Sequence, residues 1–238
     1  AINSDEQQNA AISWTKAVTK NNEIVIENSN RLIPKGSKLN LKNPPRIKRK
    51  LSAWKGRTDR QAFWLKHNLI KKTLPGEAGE IFDELKMARA EILGSKEYDG
   101  AKLNIQKFSI DVTKNSADDE IQLSTLINLW FKNLNGFKLD KDQKKLIDQI
   151  PNINSRNSQK ISEDMISSIE DEESFLKSSL SLLNALKLLE QEKSEENEEN
   201  EKFDEQSDEN EESLSDNLNE IESDEAVSYT HLTLPTML

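Results

Sequence analysis

Few residues of this chain are of types that do chemistry on their own. There are two histidines, His67 and His231, and no cysteine. A histidine can move a proton or bind a metal near neutral pH, but either task needs an orienting partner or further ligands. His67 stands alone in a stretch rich in Lys and Arg and reads as a surface or packing residue. His231 lies in an uncharged Thr/Leu/Pro tail. With no thiolate and one usable imidazole, neither a zinc site nor a hydrolytic triad is expected. The seven glycines form neither G-x-x-x-x-G-K-S/T nor G-x-G-x-x-G, so no phosphate cradle is expected. Carboxylates are plentiful but concentrate between Glu190 and Glu225, where too few apolar residues exist to fix their spacing. The sequence assigns no catalytic, cofactor-binding or metal-ligating residue.

What the chain does carry is segregated charge. From Arg31 to Lys72 there are 14 Lys or Arg against one acid, Asp59, a net +13. From Glu190 to Glu225 there are 18 Asp or Glu against two Lys, a net −16. Such a basic block and acidic run suggest mutual screening or oppositely charged partners. Aromatics among the basic residues (Trp54, Phe63, Trp64) can mark a nucleic-acid surface. The preferred reading is an amphipathic helix with its aromatics packed inward, because no binding motif accompanies the charge. Nucleic acid is not the expected partner. Nor is a membrane, since no apolar run approaches the length of a span and no signal peptide is visible. Absence of cysteine excludes disulfides but leaves the redox compartment open. The default is a soluble, cytoplasmic protein.

The elements expected to position these residues are mostly helical. A helix is expected from about Asp5 to Lys20, broken by Asn21-Asn22. Two short strands, Glu23–Glu27 and Lys38–Leu41, are joined through a Pro34-Lys35-Gly36 turn and predict a small antiparallel hairpin. Asn43-Pro44-Pro45 ends that unit. A basic helix is expected over about Thr58–Lys72, with Asp59 near its positive end. A clearer one runs from Glu77 to Leu93, carrying Ile81, Leu85, Ala88 and Ile92 at 3.6-residue spacing, with Gly94 as its C-terminal glycine. Leu103–Phe108 reads as extended or weakly helical. Ser116, followed by Asp118, Asp119 and Glu120, caps a largely buried helix through Ile121, Trp130 and Leu134. A polar region from Asn135 to Asn157 precedes a last helix or helix pair carrying Met165, Phe175 and Leu183. The fold class is mainly α, within α+β.

These elements divide into a helix plus hairpin (1–45), a helical domain (46–189), a disordered acidic linker (190–226) and a tail (227–238). The linker has too much like charge and too little apolar surface to build a core. Val227–Thr236 can be read as translated sequencing-adapter DNA, and on that reading the chain stops inside its linker.

Four short blocks resemble a known family. Ala88-Arg89-Ala90-Glu91, ending in Gly94, then Gly100 with Asn104 and Ile105, resembles the A-R-x-E-x-x-G … G-x-x-x-N-L block of the T subunit of aerobic cobaltochelatase, the CobT family. Leu74-Pro75-Gly76-Glu77 precedes it as the family's L-x-P-E-G segment does. Ile127-Asn128-Leu129-Trp130 is similar to V-D-L-W, and Ile169-Glu170-Asp171 with Phe175 is similar to I-E-D-Q-x-x-F. Departures are Lys86-Met87 for Glu-Gln, Asn128 for Asp and Glu172 for Gln, and the basic stretch matches only loosely around Pro44-Pro45-Arg46. The resemblance covers Glu23 to Glu212, the N-terminal half of that subunit.

The resemblance implies a subunit of a complex that inserts Co2+ into a corrin precursor, hydrogenobyrinic acid a,c-diamide, using ATP and Mg2+ in aerobic cobalamin biosynthesis. It implies an AAA+ partner that hydrolyses ATP and a large subunit that binds the tetrapyrrole. It also implies a C-terminal von Willebrand A-type domain with an Asp-x-Ser-x-Ser metal site, a motif this sequence does not contain. The motif residues are expected to serve structure or assembly. The alternative is an acidic-tailed chaperone or adaptor without an enzymatic role.

Overall fold

A computed structural model of the chain describes residues 3–115 and 121–189. The cap at Ser116 with its acids, the acidic run Glu190–Glu225 and the segment from Val227 onward lie outside the described residues.

Helix α1 (Ser4–Thr19) starts where Asn3 accepts hydrogen bonds from the Asp5 and Glu6 amides. It ends at Lys20, whose φ of 54° is left-handed. Strands β1 (Val25–Glu27) and β2 (Lys38–Asn40) pair in parallel, with Val25 opposite Lys38 and Glu27 opposite Asn40. The expected antiparallel hairpin is therefore wrong. The chain reverses twice, the second time at Gly36 (φ 58°), where the Lys38 amide donates to the Lys35 carbonyl. Arg57 holds the wide connection by donating to the carbonyls of Ser29, Arg31 and Asn40.

Helix α2 (Lys48–His67) begins ten residues before the sequence reading placed it and ends five earlier. Its first turn has no acid and no side-chain cap. Trp54, Phe63 and Trp64 are buried, so the aromatics of the basic stretch pack inward. Helix α3 (Gly76–Glu97) buries Ile81, Leu85, Ala88 and Ile92 as expected but runs past Gly94. That glycine is no helix terminus. A Cβ on it would sit 2.2 Å from Cγ of Phe63, so it is the contact point where α3 crosses α2. Tyr98 alone separates α3 from α4 (Asp99–Asn115), and the segment read as extended or weakly helical lies inside that helix.

Helix α5 (Leu123–Leu134) is buried from Leu126 through Lys132. Helix α6 (Lys141–Ile147) opens with a capping box between Asp140 and Gln143. Where the sequence left one last helix or a pair open, the structure has a pair, α7 (Arg156–Ser167) and α8 (Glu172–Ala185), and the Asp171 carboxylate caps α8 by accepting from the Ser174 amide. Helices α2 and α3 are central. α1 and α4 pack on α2, and α5 and α8 pack on α3. Phe63, Phe82, Phe131 and Phe175 anchor the main core, while Ala11, Ile24, Leu39, Leu41 and Trp54 form a smaller cluster around the strands. Among the described residues no helix is long and apolar enough to cross a membrane.

Candidate functional site

Of the motif residues, Arg89, Glu91 and Gly94 lie on α3 and Ile169, Glu170 and Phe175 meet Arg89 there, whereas Asn104 on α4 contacts α2. Arg89 points from α3 into the junction of three elements. Its Nε donates to the Ile169 carbonyl at 2.8 Å, Nη1 to the His67 carbonyl at 3.1 Å and Nη2 toward the Glu170 carbonyl at 3.4 Å. The ring of Phe175 lies 5.6 Å from its guanidinium carbon. One planar side chain thus satisfies carbonyls at the end of α2 and in the turn between α7 and α8. Glu172 reaches the same junction and accepts from the Leu69 amide.

Two residues on, Glu91 is fully buried between two cations. Lys132 Nζ is 2.9 Å from its Oε2, and Arg60 Nε is 3.4 Å from its Oε1. Arg60 also donates from Nη2 to both oxygens of Glu84, at 3.1 and 2.9 Å. The four charges balance, as a buried cluster must. Burial lowers the pKa of the Lys132 ammonium, and Glu91 opposes that only in part. Asn128 donates from its amide to the Glu84 carbonyl at 3.1 Å and to Glu91 at 3.3 Å. An Asp at that position would add a third negative charge here, whereas the uncharged Asn128 keeps the cluster neutral. Leu129 and Trp130 are buried beside it.

Gly94 and Asn104 act at close approaches. A Cβ on Gly56 of α2 would fall 2.0 Å from the Asn104 carbonyl oxygen, so α2 and α4 touch backbone to backbone there. That contact places Asn104 Nδ2 2.9 Å from Asp59 Oδ2. Asp59 is mid-helix and 5% exposed, not a residue of a helix N-terminus as its place in the sequence suggested. Burial pushes its carboxyl up to about 6, against Asn104 and against an approach by the Trp14 indole N–H that falls short of hydrogen-bond geometry. Asp59 lines a cavity of about 560 Å³ together with Trp14, Trp54, Tyr98, Gly100 and Asn104. Nothing lies within 4 Å of a Cβ built on Gly100.

His67 is a packing residue, as read. Its Nε2 is 3.2 Å from Glu97, its ring tilts against Phe63, and burial lowers its pKa. Among the described residues no group of three or more His, Asp or Glu gathers in a way that could hold a metal ion. Arg60, Glu84 and Lys132 were not picked out from the sequence. Their only signal is charge at helix positions whose neighbours are apolar.

The arrangement can brace helices, and beside it lies an aromatic cavity with an acid in its wall. No curated protein and no solved structure matches the chain. The family model described as "Cobalamin biosynthesis protein CobT" matches residues 3–231. The chain belongs to the CobT family and so to the proteins of cobalamin biosynthesis.

Proposed function

We propose that the chain is the helical module of an assembly and coupling subunit in an ATP-dependent cobaltochelatase. In this reading the complex is a cytoplasmic ligase that forms nitrogen–metal bonds. It takes Co2+ as its metal substrate and a corrin precursor as acceptor. An AAA+ subunit hydrolyses ATP with Mg2+, and a large subunit holds the tetrapyrrole. The observation that carries the reading is where the motif residues go. Arg89, Glu91, Gly94, Ile169, Glu170 and Phe175 serve helix junctions and a buried charge cluster rather than a reaction centre. A subunit built this way supports a motor-driven complex as a rigid body. The acidic run that follows α8 in sequence suits a tether that keeps modules at high local concentration.

Co-purification tests the assignment. The chain, tagged and co-expressed with the AAA+ and large subunits from the same genome, should be retained with the AAA+ subunit. Deletion of the gene should abolish cobalt insertion into the corrin precursor. Undiminished cobalt insertion after deletion would overturn the reading.

A further inference from the structure

Among the described residues the buried charges are matched, with Asp59 as the exception. Arg60, Glu84, Glu91 and Lys132 neutralise one another, Lys86 pairs with Asp83, and Arg89 has Glu172 and its three carbonyls. Asp59, equally buried, has no ion-pair partner among the described residues. Asn104 supplies its one well-formed hydrogen bond, and Lys55, exposed at the cavity rim, acts only as a more distant attraction. A carboxylate removed from water without a counter-charge is costly, and folds keep such groups mainly where a function uses them.

The same carboxylate belongs to the wall of the 560 Å³ cavity, a volume within the range of ligand sites. Trp14 and Tyr98 meet edge to face there, with ring centroids 4.9 Å apart. Trp54 is fixed by donating its indole N–H to the Lys42 carbonyl at 2.8 Å. Aromatic rings around an acid are the surroundings that a desolvated cation prefers. Gly100 adds a second indication. A Cβ there would have no protein atom within 4 Å, so close packing does not demand glycine, yet the residue lines the cavity.

We propose that this cavity is a binding site for a cationic nitrogen group, an alkylammonium or a guanidinium, which enters among Trp14, Trp54 and Tyr98 and pairs with Asp59. The source is either a free amine or a Lys or Arg side chain presented by another protein. The proposal does not rest on the cobaltochelatase reading.

The test follows the four tryptophan indole N–H resonances of the full chain by NMR during titration. The cationic probes are Nα-acetyl-lysine amide, Nα-acetyl-arginine amide and n-butylammonium, with Nα-acetyl-norleucine amide as the uncharged control. The expected result is saturable shifts at Trp14 and Trp54 with a cation, little change at Trp64 and Trp130, and no saturation by norleucine amide. Two variants should each weaken binding by about tenfold or more while keeping the helical circular dichroism. Asp59→Asn removes the charge but still accepts from Asn104, and Gly100→Leu fills the cavity. Tighter binding of the amino-acid amides identifies a protein side chain as the source, and tighter binding of n-butylammonium identifies a free amine. Failure of all three cations to saturate, equal binding of norleucine amide, or unchanged affinity in Asp59→Asn would overturn the proposal.

Discussion

Arg89 on α3 donates from Nε to the backbone carbonyl of Ile169, 2.8 Å away and eighty positions later in the chain. With the His67 and Glu170 carbonyls it ties α2 and the α7–α8 pair to α3 through one guanidinium. Arg89→Ala orphans these carbonyls and should destabilise the fold by about 2–4 kcal/mol. Arg89→Lys should recover little of this, since an ammonium cannot span three divergent acceptors. Urea unfolding gives the loss, and hydrogen exchange should show it first as lost protection in α7 and α8. Equal stability of the Lys variant and the parent would show that the fork geometry is not what matters.

The buried cluster makes a non-additive prediction. Removing the carboxylate with Glu91→Gln leaves Arg60 and Lys132 facing Glu84 alone, which should cost about 3–5 kcal/mol. Glu91→Leu combined with Lys132→Met removes one charge of each sign and fills the space with apolar atoms. The double variant should be more stable than Glu91→Gln despite carrying more changes. Equilibrium denaturation of the variants checks this, and simple additivity of the losses would contradict the pairing.

Local signals were legible in the sequence and tertiary ones were not. The stripe Ile81, Leu85, Ala88 and Ile92 repeats at the helical period, and all four are buried. The start of α2 was hidden because Lys48, Arg49 and Lys50 carry no apolar periodicity, and neither acid nor cap announces the helix. Gly94 reads as a terminus in the sequence because glycine ends helices more often than it admits a neighbouring ring. Nothing local distinguishes the two uses. Arg60, Glu84 and Lys132 look like ordinary surface charges until α2, α3 and α5 come together. Asp59 has the same history, because its burial depends on Gly56 letting α4 approach. The strand direction failed for a related reason, since Arg57, the residue that shapes the connection, lies on the next helix.

Asp59 should make stability depend on pH in an unusual direction for a carboxylate. The groups acting on it are Asn104, Trp14 and Lys55, and burial outweighs them, raising its carboxyl from 3.8 to about 6. The folded state therefore holds this proton more tightly than the unfolded state. Its contribution to stability is fully present below pH 4, falls as pH rises from about 4 to 6, and is lost above that. A two-unit shift corresponds to about 3 kcal/mol. Asp59→Asn should remove this slope and melt higher than the parent at pH 7.5. Thermal melts of both proteins at pH 5 and pH 7.5 decide the matter, because other carboxylates titrate equally in the two.

Two motif glycines should respond oppositely to alanine. Both lie in helices, where glycine costs about 0.5–1 kcal/mol relative to alanine because it loses more backbone freedom on folding. At Gly100, in the first turn of α4, the new methyl meets nothing within 4 Å, so Gly100→Ala should gain part of that amount. At Gly94 the methyl would lie 2.2 to 2.4 Å from three carbons of the Phe63 ring. That ring is fully buried and stacks on Tyr98, with centroids 5.9 Å apart, so it cannot simply rotate into solvent. The overpacking should cost about 1–3 kcal/mol and outweigh the helix propensity gained. Gly94→Ala should therefore lower the melting temperature and disturb the Tyr98 wall of the cavity, while Gly100→Ala should raise it. Matching shifts of the same sign would mean that α2 and α3 do not touch at Phe63 as closely as the structure has them.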